Sequence, residues 1–203
     1  MSQSFEQAVQ SIIQGASLIY PTETFYALGC LAVNSIACSN ILKLKIRERN
    51  KPLPVLIGSP GQLCQLTNWQ SPELENIMQN FWPGPLSVLV PALPGLPGEI
   101  QNEQGWLSVR FTSHPVAQEL CLSVQAPLVA TSANFAGMPA VAKPEDLDPL
   151  LLNEVDFFLN ARPWPSGGLA STLIRIQEQG RIQVLRAGAV SKAELYRTGL
   201  VLE

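Results

Sequence analysis

Phe5, Val9, Ile12 and Ile13 recur at the three-and-four spacing of a helix, and Gly15 stands where such a helix stops, so Ser4 to Gln14 reads as an amphipathic opening helix. The period then changes. Ser17 to Tyr20 is a short apolar run ending on Pro21, a strand that feeds the polar loop Thr22-Glu23-Thr24. Asn34 can cap a helix running to about Arg49, with Ile36, Ile41 and Leu44 facing inward and Lys43, Lys45, Arg47, Arg49 and Lys51 gathered toward its end. Leu53 to Ile57 follows as a strand.

Ser71-Pro72-Glu73 is a capping side chain with proline at the first helical position, opening a helix to Trp82 with Leu74, Ile77, Met78 and Phe81 on one face. Leu86 to Val90 and Trp106 to Arg110 read as partner strands, with proline- and glycine-rich segments around the first. A helix from Ser113 to about Val124 precedes a buried strand, Pro127 to Ala130, that runs into Thr131-Ser132-Ala133-Asn134. Val155 to Leu159 and Leu173 to Ile176 are further strands, and Arg181 to Leu185 pairs with the latter through a hairpin at Glu178 to Gly180. Ser191 with Glu194 is a capping box for a last helix. Strands and helices interleave but hairpins interrupt any regular βαβ repeat. The expectation is an α/β fold, a twisted open mixed β-sheet flanked by helices, with residues 1–203 as one domain.

Composition narrows the function classes. At 46% hydrophobic and 14% charged residues the chain has enough apolar surface to fold. Its longest apolar runs are broken by proline far below the roughly 18 residues of a membrane span, and the N-terminus lacks the positive flank and apolar core of a secretory signal. A cytoplasmic location and no membrane association are expected. The net charge of -3 argues against a field that wraps duplex nucleic acid, while a local basic patch stays open. Cys30, Cys38, Cys64 and Cys121 are irregularly spaced and His114 is the sole histidine, which argues against zinc, fits buried reduced thiols, and disfavours a catalytic triad.

The chemistry sits in polar clusters directly after predicted strands, where open α/β sheets hold ligands. Tyr20 to Gly29 carries hydroxyls that either cap turn backbone or bind an amino acid. Lys45, Arg47, Arg49 and Lys51 alternate, so on one continuous helix they spread around it; if the chain turns extended near Arg47 they can converge on a polyanion. Thr131-Ser132-Ala133-Asn134 and Ser166-Gly167-Gly168 with Ser171-Thr172 can hold phosphate or carboxylate oxygens, or make ordinary turns. Arg110 and Arg186 each end a strand. No P-loop or dinucleotide fingerprint occurs.

Taken in order, Tyr-Pro-Thr-Glu-Thr with Leu28-Gly29, Lys45-x-Arg47, Trp82-Pro83-Gly84-Pro85, Arg110, Thr131-Ser132-Ala133-Asn134, Ser171-Thr172 and Leu185-Arg186-x-Gly188 resemble the YrdC-like threonylcarbamoyl-AMP synthases, from about residue 4 to about 190. The resemblance implies condensation of L-threonine, bicarbonate and ATP to threonylcarbamoyl-AMP and pyrophosphate, a nucleotidyltransferase reaction. Partner proteins then move the carbamoyl group to the adenosine beside the anticodon of tRNAs reading codons that begin with A. It assigns Lys45 and Arg47 to catalysis and, with Lys51, Ser87, Ser132, Asn134 and Arg186, to ATP. Thr22, Thr24, Arg110, Ala130, Thr131 and Ser171 fall to threonine. Magnesium would come with ATP, held chiefly by its oxygens and water, with Glu23 the one candidate in these motifs to touch it or its water, and room remains for a monovalent cation and for tRNA contact.

Three positions depart from the family pattern: Ala27 for glycine, Ala136 for serine, and Ser87 for threonine. Lys51 and Leu56 stand where longer relatives carry asparagine and histidine. The competing readings are an RNA-binding module using the cations from Lys43 to Lys51, and a carbamoyl- or adenylate-forming enzyme with another substrate.

Overall fold

A computed structural model of the chain describes residues 3–45 and 51–203. The first half contains α1 (Gln3–Ile13), β1 (Leu18–Pro21), β2 (Tyr26–Gly29), α2 (Ser35–Leu44), β3 (Val55–Ile57), α3 (Pro72–Asn80), β4 (Leu86–Pro91) and β5 (Trp106–Phe111). The second contains α4 (Pro115–Ser123), β6 (Leu128–Val129), β7 (Thr131–Ser132), α5 (Pro149–Glu154), β8 (Phe157–Phe158), β9 (Thr172–Ile176), β10 (Ile182–Arg186) and α6 (Lys192–Arg197). The expected mixed α/β fold with flanking helices is present, its strands hydrogen-bonded into two sheets.

Four strands lie in the order β7-β2-β1-β8 and six in the order β10-β9-β4-β5-β3-β6. Both sheets are mixed, with β1–β8, β3–β5 and β4–β9 parallel and the other pairs antiparallel. The chain passes from one sheet to the other at a single residue: β6 pairs with β3, Ala130 donates its N–H to Pro54 O at 2.8 Å, and β7 then pairs with β2. That crossing explains Gly29. A Cβ there would lie 1.8 Å from Val129 O, so only glycine lets the two sheets approach.

The apolar patterns do what their periods predict, with exceptions. Phe5, Ala8 and Ile12 of α1 are buried, and Ser71 Oγ accepts from Leu74 N at 3.1 Å to cap α3. The box at α6 closes in both directions between Ser191 and Glu194. In α2, capped by Asn34, the buried stripe is Ala37, Cys38 and Ile41; Ile36, expected inside, is 75% exposed. This helix stops at Leu44 with Lys45 as its C-cap, and the expected continuation toward Arg49 lies outside the described residues. β2 was legible only as loop, because all four of its residues are buried and no alternation marks them. Three of the four thiols are buried and Cys64 is exposed, against the expectation that all four lie inside. No helix among the described residues is long and apolar enough to cross a membrane.

Candidate active site

The turn after β1 begins on Pro21, and buried Thr22 holds it together. Its hydroxyl donates to Phe25 O at 2.7 Å and accepts from Thr24 N at 3.4 Å. Thr24 Oγ1 lies 3.3 Å from Thr22 Oγ1. Thus Thr22 performs the capping role, and both threonines line the cavity described below. A strap from the 160s closes over this turn from outside: Ser166 Oγ donates to Glu23 O at 2.6 Å and Gly167 N to Thr24 O at 2.9 Å.

Arg110 projects from β5, where register puts it beside Leu56 of β3. It is 7% exposed, and its Nη1 meets Glu23 Oε1 at 2.5 Å. The other Glu23 oxygen accepts from Thr112 Oγ1 at 2.6 Å. Across the cavity, Arg186 at the end of β10 donates from Nε and Nη2 to Ser171 O at 3.1 and 2.8 Å and from Nη2 to Ser171 Oγ at 2.9 Å. Ser171 Oγ is also 3.1 Å from Ser87 Oγ on β4. Burial first, then the neighbouring Arg110, lowers the Arg186 pKa from 12.5, and the guanidinium still carries its charge at neutral pH. Two cations facing one space create an anion-attracting site.

The surrounding motifs are braces. A Cβ on Gly188 would sit 2.2 Å from Ala170 O, so the glycine after Arg186 lets that segment lie against the 170–172 backbone. Thr172 Oγ1 locks the same contact by donating to Val190 O at 2.6 Å. In Trp82-Pro83-Gly84-Pro85, the indole donates to Leu86 O at 2.7 Å and Gly84 N to Phe111 O at 2.9 Å, which fixes where β4 begins and thus where Ser87 points.

These groups converge on one cavity of about 260 Å³. Thr22, Thr24, Ser87, Arg110, Ala130, Thr131, Ser132, Ser171 and Arg186 all line it, joined by Phe25, Tyr26, Ala27, Pro54, Val55, Leu56, Ala140 and Ala170. The structure therefore gathers residues from eight separated stretches of sequence, and it adds apolar walls that hydroxyl and charge patterns do not reveal. Ala27 and Leu56 drew notice only as departures from a family pattern; Ala140 and Ala170 carried no signal.

Lys45, Lys51 and Asn134 do not line this cavity. Lys45 is 4% exposed and donates from Nζ to Ser132 O at 2.6 Å, to Asn134 O at 2.5 Å and to Asn134 Oδ1 at 2.9 Å. Asn134 Oδ1 also accepts from Ser132 Oγ at 2.5 Å. The lysine thus holds the Thr131–Asn134 turn from behind the wall that Thr131 and Ser132 present. Lys51 is exposed, and Arg47 lies outside the described residues. Glu23 has both carboxylate oxygens engaged by Arg110 and Thr112, a poor fit to a metal ligand. Among the described residues no three histidine, cysteine or acidic side chains gather as a metal cage. His114 stands apart, its Nε2 2.8 Å from Pro163 O.

Fold and site together define a small-molecule enzyme scaffold, a mixed α/β frame with two arginines and a ring of hydroxyls where its sheets meet. Residues 10–188 match the Sua5_yciO_yrdC family, described as telomere recombination, and the chain belongs to that family. It is 35% identical to the threonylcarbamoyl-AMP synthase of Xylella fastidiosa strain 9a5c over 185 residues, 88% of this chain and 96% of that protein. The threonylcarbamoyl-AMP synthase of Vibrio cholerae O1 El Tor Inaba N16961 is 30% identical over 188 residues, 92% and 98% of the two chains. The crystal structure of P. abyssi Sua5 complexed with L-threonine superposes with a TM-score of 0.90 at 27% identity, covering 98% of this chain and 58% of that one.

Proposed function

We propose that the protein is an L-threonylcarbamoyladenylate synthase, a nucleotidyltransferase that supplies the activated carbamoyl group for N6-threonylcarbamoyladenosine in tRNA. The observation that carries this reading is the pairing of Arg110 and Arg186 across one hydroxyl-lined cavity, in a chain whose relatives bear that enzyme name. In the reaction, bicarbonate takes up a proton and loses water to give carbon dioxide; the threonine amine adds to its carbon and releases a proton, leaving a carbamate. The carbamate oxygen then attacks the α-phosphorus of ATP, and the bond to pyrophosphate breaks.

Arg110 suits the threonine carboxylate, being buried beside Thr24 and Thr131 with Nη1 alone engaged by Glu23. Arg186, with Ser87 and Ser132, suits phosphate oxygens, where charge accumulates as pyrophosphate departs, while Ser171, bonded to both Arg186 and Ser87, stands on the threonine side. Lys45 fixes the turn that presents Ser132, and Asn134, Lys51 and Arg47 extend the nucleotide side. No protein nucleophile is required. Magnesium enters with ATP as the substrate complex, held by phosphate oxygens and water; a monovalent cation, a direct tRNA contact and a cytoplasmic location complete the reading. The test is isotopic: with Mg·ATP, L-threonine and 13C-bicarbonate, rapid mass spectrometry should find an adenylate heavier by one unit than that formed from unlabelled bicarbonate. An unlabelled product, or none, would overturn the assignment.

A further inference from the structure

The Glu23 side chain is 13% exposed and does not line the cavity. An ionised group in that position is costly unless its oxygens are hydrogen-bonded. Here each has a donor. Oε1 accepts from Arg110 Nη1 and Oε2 from Thr112 Oγ1, while the residue's backbone carbonyl accepts from Ser166 Oγ of the strap. Arg110 and Thr112 lie two apart at the end of β5, and Glu23 grips both from the turn after β1, a strand of the other sheet. The contact therefore sets how the arginine of one sheet stands relative to Thr24 of the other. Only one edge of the guanidinium is used, so its remaining donors stay aimed in a fixed direction.

We propose that Glu23 is a positioning residue that locks Arg110 for bidentate capture of the substrate carboxylate, and so sets the preference for the free amino acid over its amide. The proposal rests on the threonine assignment above. A loosely held arginine still supplies charge but loses alignment, and misplacement by about 1 Å costs up to roughly 100-fold in such sites.

The experiment compares L-threonine with L-threoninamide, which lacks the carboxylate, as ligands of the full chain and of Glu23→Gln by calorimetry, alongside KM for each substrate. The wild type should bind threonine well above the amide. In Glu23→Gln that preference should shrink about 10- to 100-fold, with KM for threonine rising, KM for ATP unchanged and kcat falling less. Glu23→Asp, which keeps the charge, should recover part of the preference. A Glu23→Gln enzyme with wild-type discrimination between acid and amide overturns the positioning role. If wild type shows no carboxylate preference, the threonine assignment falls, and the proposal with it. Loss of both substrates' affinities together in Glu23→Gln, with a lowered melting temperature, marks a merely structural ion pair and equally overturns it.

Discussion

At the scale of single residues, burial decides which polar groups act and which only support. Lys45 is buried against three oxygens, so Lys45→Ala strips a donor from the Ser132 and Asn134 carbonyls and should cost about 1–3 kcal/mol of stability. It should also lower turnover about 10- to 1,000-fold through the loosened Ser132 turn; urea melts and steady-state rates check both, and wild-type activity would refute the role. His114 makes a different prediction. Pro163 O can only accept, so Nε2 carries the proton and buried Nδ1 has no partner, and desolvation lowers the pKa below 6.5. The unfolded chain takes up the second proton before the folded one does, so stability is full above pH 6.5 and is lost as pH falls below it. A His114→Gln variant should flatten the fall in melting temperature between about pH 7 and 5. Burial also pushes the Cys121 thiol up to about 12, and the hydrogen bond with Cys38, then burial, raises that of Cys30, whereas Cys64 is exposed. A thiol reagent at neutral pH should label one cysteine in the native protein and four after denaturation.

Elements were legible to the degree that one face meets water. α1, α3 and α6 announced themselves through period and caps, and β4, β5, β9 and β10 through short apolar runs between turns. β2 did not, because it is covered on both faces, and α2 misled through Ile36, an apolar residue on the solvent side. Its true core stripe yields a test: Ile41→Ala should cost about 2–5 kcal/mol while Ile36→Ala costs little, as read by chemical denaturation. Loop braces were harder still, since a motif such as Leu185-Arg186-x-Gly188 shows its glycine but not the backbone the glycine must approach. Gly188→Ala should therefore shift Ser171 and Arg186 together, raising KM for threonine and KM for ATP alike in steady-state rates.

For the whole molecule, the ordered polar clusters named most of the polar residues that line the cavity, because these sit in strands or on the turns beside them, and strands that meet at one sheet junction bring those turns together. The sequence could not reveal that two sheets meet there, that Ala130 is the crossing, or that Lys45 works from behind the wall, since these depend on pairings far apart in the chain. The central claim is that this junction is a synthase site in which threonine triggers attack on ATP. Initial rates of pyrophosphate release from Mg·ATP and bicarbonate, with and without L-threonine, test it most directly. The account predicts release that depends on L-threonine and collapses in Arg110→Ala and Arg186→Ala variants that remain folded. Release indifferent to threonine, or none from a chain that still binds RNA in a salt-dependent way, would contradict it.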